Sequence, residues 1–370
     1  MALGFYFLLP TMPIFAVKAL GADNSQVGYI IGVFTLSAVA IRPLAGYTLD
    51  SAGRKKVFLW SMGLFALLTF SYHLAASLLF LLFLRLLHGF TWGVTTTGGG
   101  TIAADLLPPD RRGEGIGYFG LSMTLAMALG PMLGLWLMGA DQYGRLFFAA
   151  GILGVLGFLT AALVKHPRLP LTRRALSWGA FVENRVISIC IATFFLTVVY
   201  GGIVSFITLY SEETGIGNGG LFFLVYAVAM SVTRPFAGKI MDRRGPGPVL
   251  AAGLLSQIAG FLVLWAGRDL TGFTAAAVLI GIGSGNAWPT LQTMVINMVE
   301  PQRRGVANST FFSAIDVGIG FGSIALGWLA EGTSIGTMYL ASAVILLIPL
   351  AYLFLHVLKD YHSKMAGGAA

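Results

Sequence analysis

Asp316 lies in the run FFSAIDVGIGFGSIALG, an acidic side chain well inside an apolar segment. The charged form is strongly penalised in such a setting, so the group suits a proton carrier. Permanent pairing with a base such as Arg85 or Arg42 is the alternative. In LRLLHGFTWGVTTTGGG, Arg85 and His88 are spaced i, i+3 and share one helix face. Either Arg85 bears on the protonation of His88, or the pair grips an anionic group. As a packing alternative, Arg85 meets a backbone carbonyl between helices and His88 satisfies a buried hydroxyl. Asp50 and Asp242 each close an apolar segment beside a basic turn, where a carboxylate can accept from the free amides that open a neighbouring helix.

These residues need a medium and a scaffold, and the composition indicates both. The chain has 370 residues, 56% hydrophobic and 10% charged, with a formal net charge of +8. A soluble globular chain carries about 25% charged residues, so the expected solvent is lipid. A spanning helix needs about 20 apolar residues to cross about 30 Å of hydrocarbon. Apolar runs predict twelve spans, at 3–20, 26–49, 57–76, 78–104, 115–139, 145–165, 186–211, 219–240, 248–267, 271–298, 305–330 and 336–358. Little chain remains for a soluble domain. Most Lys and Arg fall in alternate loops: Arg54, Lys55 and Lys56; Arg111 and Arg112; Lys165 to Arg185; Lys239, Arg243 and Arg244; Arg303 and Arg304. That asymmetry places both termini in the cytoplasm. It also assigns the excess positive charge to topology and not to nucleic acid. The start MALGFYFLLPTMPIF lacks a basic n-region and reads as a retained first span.

The chain then repeats itself. IRPLAGYTLDSAG (41–53) lies over TRPFAGKIMDRRG (233–245), pairing Arg42 with Arg234, Gly46 with Gly238, Asp50 with Asp242 and Gly53 with Gly245. The same shift of 192 positions sets Gly89 on Gly281, Gly93 on Gly285, and Arg111, Arg112 and Gly113 on Arg303, Arg304 and Gly305. A duplicated six-helix unit follows. The expected organisation is an N-terminal bundle over 1–164, a basic cytoplasmic linker over 165–185, a C-terminal bundle over 186–358 and a tail over 359–370. Two-fold pseudosymmetry brings Asp50 to the start of helix eleven, near Gly305 to Asn308. It brings Asp242 to the start of helix five, near Gly113 to Gly117.

Over essentially its whole length the chain resembles the major facilitator superfamily. The signature G-x-L-x-D-R-x-G-R-K-K is matched by Gly46, Leu49, Asp50, Gly53, Arg54, Lys55 and Lys56, with Ser51 in place of an Arg. The second copy has Pro246 where the later Arg belongs, which predicts a weaker charge network. Arg85, His88 and Gly89 are similar to R-x-x-Q-G, with His88 at the Gln position. Gly130, Pro131 and Gly134 resemble the G-P-x-x-G signature of the proton-antiporter, exporting branch, although Leu135 departs from it. The resemblance implies an all-α membrane fold of twelve transmembrane helices in two pseudosymmetric bundles, with alternating access to a midplane site. It implies a cytoplasmic gate of Gly46, Asp50, Gly53, Arg54, Arg42, Asp105, Asp242 and Arg234, with Asp105 pairing with Arg54 or Arg42. It implies a tight seam at Gly130, Pro131 and Gly134 that limits leakage between the halves. The cavity helices carry Tyr6, Arg85, Trp92, Tyr200, Tyr226, Asn286, Trp288 and Gln292, while Asp316 and His88 are the candidates for proton coupling.

Other chemistry finds no support in the sequence. There is no HExxH, no paired Cys/His spacing and no phosphate-cradling Gly-rich loop with Lys, so neither an enzyme, a metal site nor a cofactor is expected. The single cysteine, Cys190, has no disulfide partner in the chain. The sequence therefore predicts proton-coupled efflux of a small organic compound by a monomer in the cell membrane, most simply a bacterial inner membrane. A symporter or importer of a sugar or other metabolite, or a lipid flippase, are the alternatives on the same fold.

Overall fold

The computed structural model describes residues 1–22, 24–139, 141–167, 178–216 and 219–367. Among these residues, twelve helices are long and apolar enough to cross a membrane. They are α1 (Ala2–Leu20), α2 (Asn24–Ala52), α3 (Arg54–Ser71), α4 (Leu78–Leu106), α5 (Arg112–Met138) and α6 (Tyr143–Leu163). The second series is α7 (Ile187–Glu213), α8 (Gly219–Arg244), α9 (Pro246–Ala266), α10 (Leu270–Asn297), α11 (Arg304–Gly332) and α12 (Ile335–Ile345). The last span continues through Leu347–Tyr352, a π turn at Leu353–Val357, and Leu358–Gly367. Among the described residues there is no strand. Arg168, Arg173 and Arg174 of the basic linker lie outside the described residues; Trp178–Phe181 forms one helical turn near its end. Leu36, Trp60, Leu79, Leu163 and Trp328 point outward and exposed, the reverse of a soluble protein and the expected finish for a surface bathed in lipid.

Several helices extend beyond their apolar runs. The second was expected at 26–49 and runs to Ala52; the fifth was expected from 115 and starts at Arg112. Hydropathy counts only residues that tolerate hydrocarbon, whereas backbone hydrogen bonding carries the helix on into polar turns. What stops α2 and α8 is glycine. Gly53 (φ 101) and Gly245 (φ 77) turn the chain directly into α3 and α9 in a region that L side chains avoid, and they are repeat mates.

The chain divides into two compact units. Unit one comprises Met1–Leu106, Ser122–Val182 and Pro301–Ser309; unit two comprises Leu107–Leu121, Glu183–Glu300 and Thr310–Ala370. The opening of α5 thus groups with the second series, and the opening of α11 with the first. In unit one, α4 lies on α2 at Gly89 and Gly93. A Cβ at Gly93 would fall 2.7 Å from the Ala38 carbonyl oxygen. In unit two, α10 lies on α8 at Gly281 and Gly285, where a Cβ at Gly285 would fall 2.9 Å from the Met230 carbonyl oxygen. Ala38 and Met230 are again 192 positions apart, so the repeat register holds in the packing as well as in the sequence.

The Gly130–Pro131–Gly134 seam lies inside unit one. A Cβ at Gly134 would fall 2.7 Å from Phe7 Cα, and one at Gly130 3.2 Å from Tyr6 Cα, so this face of α5 closes on the backbone of α1. Within unit one this stretch therefore forms a seam between α1 and α5. Two glycines at i, i+4 share one face, and that face is turned to α1. In unit two Gly322, the mate of Gly130, closes on Val198, the mate of Tyr6, with 2.6 Å from its Cβ to Val198 Cα.

Candidate functional site

At the end of α2 the Asp50 carboxylate accepts from both opening amides of α11: Gly305 N at 3.1 Å and Val306 N at 3.0 Å. Arg54, one turn on, donates to the same carboxylate through Nε at 3.1 Å and Nη2 at 2.7 Å. Its remaining nitrogen reaches Asp105 at 2.5 Å, and Nη2 also donates to the Pro301 carbonyl. Asp105 is shared further with Arg304 at 2.9 Å and His166 Nε2 at 2.9 Å. Asp50, Arg54 and Arg304 are all buried. Taking these charges out of water is costly, and the chain of charge-assisted bonds is what offsets it. Gly46 makes the approach possible, because a Cβ there would fall 2.8 Å from Val306 Cα and 2.9 Å from the Gly305 carbonyl oxygen. Ser309 donates to the Arg42 carbonyl on the same face.

The second copy repeats this geometry with less charge. Asp242 accepts from Gly113 N at 2.8 Å and Glu114 N at 2.9 Å, where the repeat places it at the opening of α5. Pro246 stands in for Arg54, and Asn297 stands in for Asp105. Arg112, the mate of Arg304, donates to Asn297 Oδ1 at 2.5 Å. In the sequence Arg304 and Arg112 mark topology and the repeat but not a charge network, and neither Asn297 nor His166 stands out. The shift of 192 would have found Arg304, Arg112 and Asn297; nothing local marks His166.

The first cavity candidates form an aromatic cluster in unit one. Phe5 stacks on Trp92 at 4.0 Å between centroids and on Phe34 at 5.0 Å, and Tyr6 meets Trp92 edge-on at 6.4 Å. His88 is fully buried beneath the Phe65 ring at 4.2 Å, with Nδ1 2.8 Å from the Tyr72 hydroxyl. Arg85 donates from Nε to the Ile30 carbonyl at 3.1 Å and stacks on Phe34 at 4.5 Å. This is the arrangement of the packing alternative: a carbonyl between helices for Arg85 and a buried hydroxyl for His88. Among the described residues Arg85 Nη1 and His88 Nε2 have no hydrogen-bond partner. Arg42, buried, donates to the hydroxyls of Thr96 and Thr97, both at 3.2 Å.

In unit two, Tyr200 of α7 stacks with Tyr226 of α8 at 6.1 Å and meets Trp288 of α10 edge-on at 5.7 Å. Arg234 is buried, with both tyrosines within electrostatic range of it. Asn286 is buried with its Cβ against Gly253, on the seam between α10 and α9, while Gln292 is half-buried. Asp316 is half-buried near the middle of α11, and its repeat mate Thr124 is buried. Among the described residues, no group of three or more His, Cys, Asp or Glu could hold a metal ion.

Comparison with known proteins gives the same outline. The family model of the Major Facilitator Superfamily matches residues 1–264 and 218–367. The chain is 22% identical over 353 residues to the staphylopine export protein of Staphylococcus aureus, covering 91% of this chain and 88% of that one. It is 24% identical over 338 residues to the quinolone resistance protein NorA of the same species, covering 84% and 83%. Among solved structures it is similar to the human organic anion transporter MFSD10, with a TM-score of 0.79 at 21% identity, covering 95% and 96%.

Proposed function

The chain belongs to the major facilitator superfamily and is a multi-pass membrane transporter, not an enzyme; on that premise we propose that it exports a small organic compound in exchange for protons, by alternating access. What supports this reading most is the duplicated pair of carboxylates on helix N-termini. Asp50 at α11 and Asp242 at α5 are the kind of contact that holds one side of a transporter shut and must break when it opens. The names of the two relatives, an exporter and a resistance protein, favour the outward direction. In this scheme 1–164 and 186–358 are the two repeats, joined by 165–185, with both termini cytoplasmic. The protein works as a monomer in the cell membrane, a bacterial inner membrane, with small molecule and proton as its partners and no nucleic acid. Gly46, Asp50, Gly53, Arg54, Arg42, Asp105 and Asp242 serve the gate, and Asp316 carries the proton. The sealed position of His88 leaves it the lesser candidate for coupling.

Flux in proteoliposomes tests the scheme. Right-side-out vesicles loaded with a candidate solute are placed in acid medium, and loss of solute is followed. Antiport empties them. Asp316→Asn is expected to abolish the pH-driven loss while preserving exchange of solute for solute. Filling of empty vesicles under acid outside, or unchanged pH-driven loss in the variant, overturns the antiport scheme or the role of Asp316, respectively.

A further inference from the structure

The two repeats carry the same arginine and treat it differently. Arg42 is anchored by the hydroxyls of Thr96 and Thr97. The mates of those threonines are Trp288 and Pro289, so in the second copy both hydroxyl anchors are gone while the guanidinium remains. Arg234 is buried, 8% exposed, and among the described residues its Nε has no hydrogen-bond partner. Nη2 reaches only the Met230 sulfur, at 3.8 Å, a weak acceptor. The titratable groups within electrostatic range of it are Tyr226 and Tyr200, and no carboxylate of the described residues forms an ion pair with it. Gly120 of α5 clears room beside it: a Cβ there would fall 3.0 Å from the guanidinium carbon.

The position is central. Tyr200 stands at the middle of α7 (Ile187–Glu213), and Arg234 is within one turn of the middle of α8 (Gly219–Arg244). A buried cation without a counter-charge, at mid-depth in a membrane helix, is costly enough to mark a site that an anion completes. The surrounding donors fit one: a planar guanidinium with a spare N–H, two phenol hydroxyls, and an indole whose ring is half-exposed beside them. The Tyr200–Trp288 edge-to-face pair offers a flat apolar wall next to the charge.

We propose that Arg234, with the Tyr200 and Tyr226 hydroxyls and the Trp288 ring, holds the negative group of the transported solute, so that the substrate is an organic anion with a planar apolar body. This rests on the exporter reading above and moves Arg234 from the gate to the substrate.

Three matched probes test it by equilibrium binding to the full chain in lipid nanodiscs: 2-naphthalenesulfonate, the neutral 2-naphthalenesulfonamide, and the cationic (2-naphthylmethyl)trimethylammonium. The sulfonate is expected to bind at least about tenfold more tightly than the other two, equivalent to about 1.4 kcal/mol. Arg234→Gln removes that preference and Arg234→Lys keeps part of it. A merely structural arginine would not set a preference for charge. Binding of the sulfonamide or the ammonium as tight as the sulfonate, no binding of the sulfonate, or a preference that survives Arg234→Gln each overturns the proposal. The exporter reading fails separately. If the sulfonate binds through Arg234 but no probe crosses proteoliposomes under a proton gradient, the anion site stands and proton-coupled export falls. If the ammonium crosses and the sulfonate does not bind, export stands and the anion site falls.

Discussion

Asp50→Asn removes one negative charge and changes no volume, and the geometry fixes what it costs. Oδ1 of Asp50 accepts from Gly305 N and from Arg54 Nε and Nη2, while Oδ2 accepts from Val306 N. Asn has one carbonyl oxygen. If that oxygen serves the Oδ1 side, its NH2 faces the Val306 N–H, donor against donor, and a buried amide goes unpaired at a cost of about 1–3 kcal/mol. The three bonds to the other oxygen fall from charge-assisted to neutral strength, and the negative charge at the N-terminus of α11 is lost. Relief from burying the carboxylate returns part of this, although Arg54 stays buried and charged against Asp105 at 2.5 Å. The net loss is about 2–4 kcal/mol, or about 30- to 900-fold in the local opening equilibrium.

Hydrogen–deuterium exchange of the full chain in nanodiscs reads this directly, because Gly305 and Val306 are the amides concerned. Exchange in a peptide spanning 301–311 should accelerate within that range. Asp242→Asn provides the scale. Asp242 accepts from Gly113 and Glu114 with Pro246 at the Arg54 position, so exchange near 110–118 should rise less, about five- to sixtyfold for about 1–2.5 kcal/mol. Exchange at 301–311 within threefold of wild type, or a larger effect from Asp242→Asn, would refute the reasoning.

Gly46→Ala puts a methyl 2.8 Å from Val306 Cα, and since the neighbour is backbone it should cost about 1–3 kcal/mol and lower the Tm of the full chain. Gly63→Ala is the control: its nearest neighbour is the Phe158 ring at 3.7 Å, so Tm should hold or rise. His88→Ala removes a hydrogen-bond partner of the Tyr72 hydroxyl and leaves a hole under Phe65, a loss of about 2–4 kcal/mol in thermal unfolding. His88→Gln retains a hydrogen-bonding group there and should leave the shape of the pH profile of transport unchanged; a shifted profile would return His88 to proton coupling.

The repeat was legible because it is written in residue types: Gly46, Asp50 and Gly53 recur as Gly238, Asp242 and Gly245. Once the copies are aligned, symmetry places Asp50 at Gly305 and Asp242 at Gly113. His88 shows the opposite case. An i, i+3 spacing tells that Arg85 and His88 share a face but not whether that face meets water or the rings of Phe34 and Phe65, which come from two other helices. Arg234 was read with the gate because it precedes the gate's Gly238 and Asp242. Of the aromatic residues around it, Tyr226 shares its helix, but Tyr200 and Trp288 belong to α7 and α10, far off in sequence.

Composition and periodicity are local properties, and by themselves they determined the lipid solvent, the number of crossings and the internal duplication. Only the tertiary structure decided which side chains complete one another. It gave Asp105 to Arg54, Arg304 and His166 together, turned Gly130 and Gly134 toward α1, and left Arg234 buried with no ion pair to a carboxylate among the described residues. Those outcomes depend on the rotation of each helix about its axis and on how closely two backbones approach. Both are set by small residues scattered over the whole chain, so no single segment carries the information.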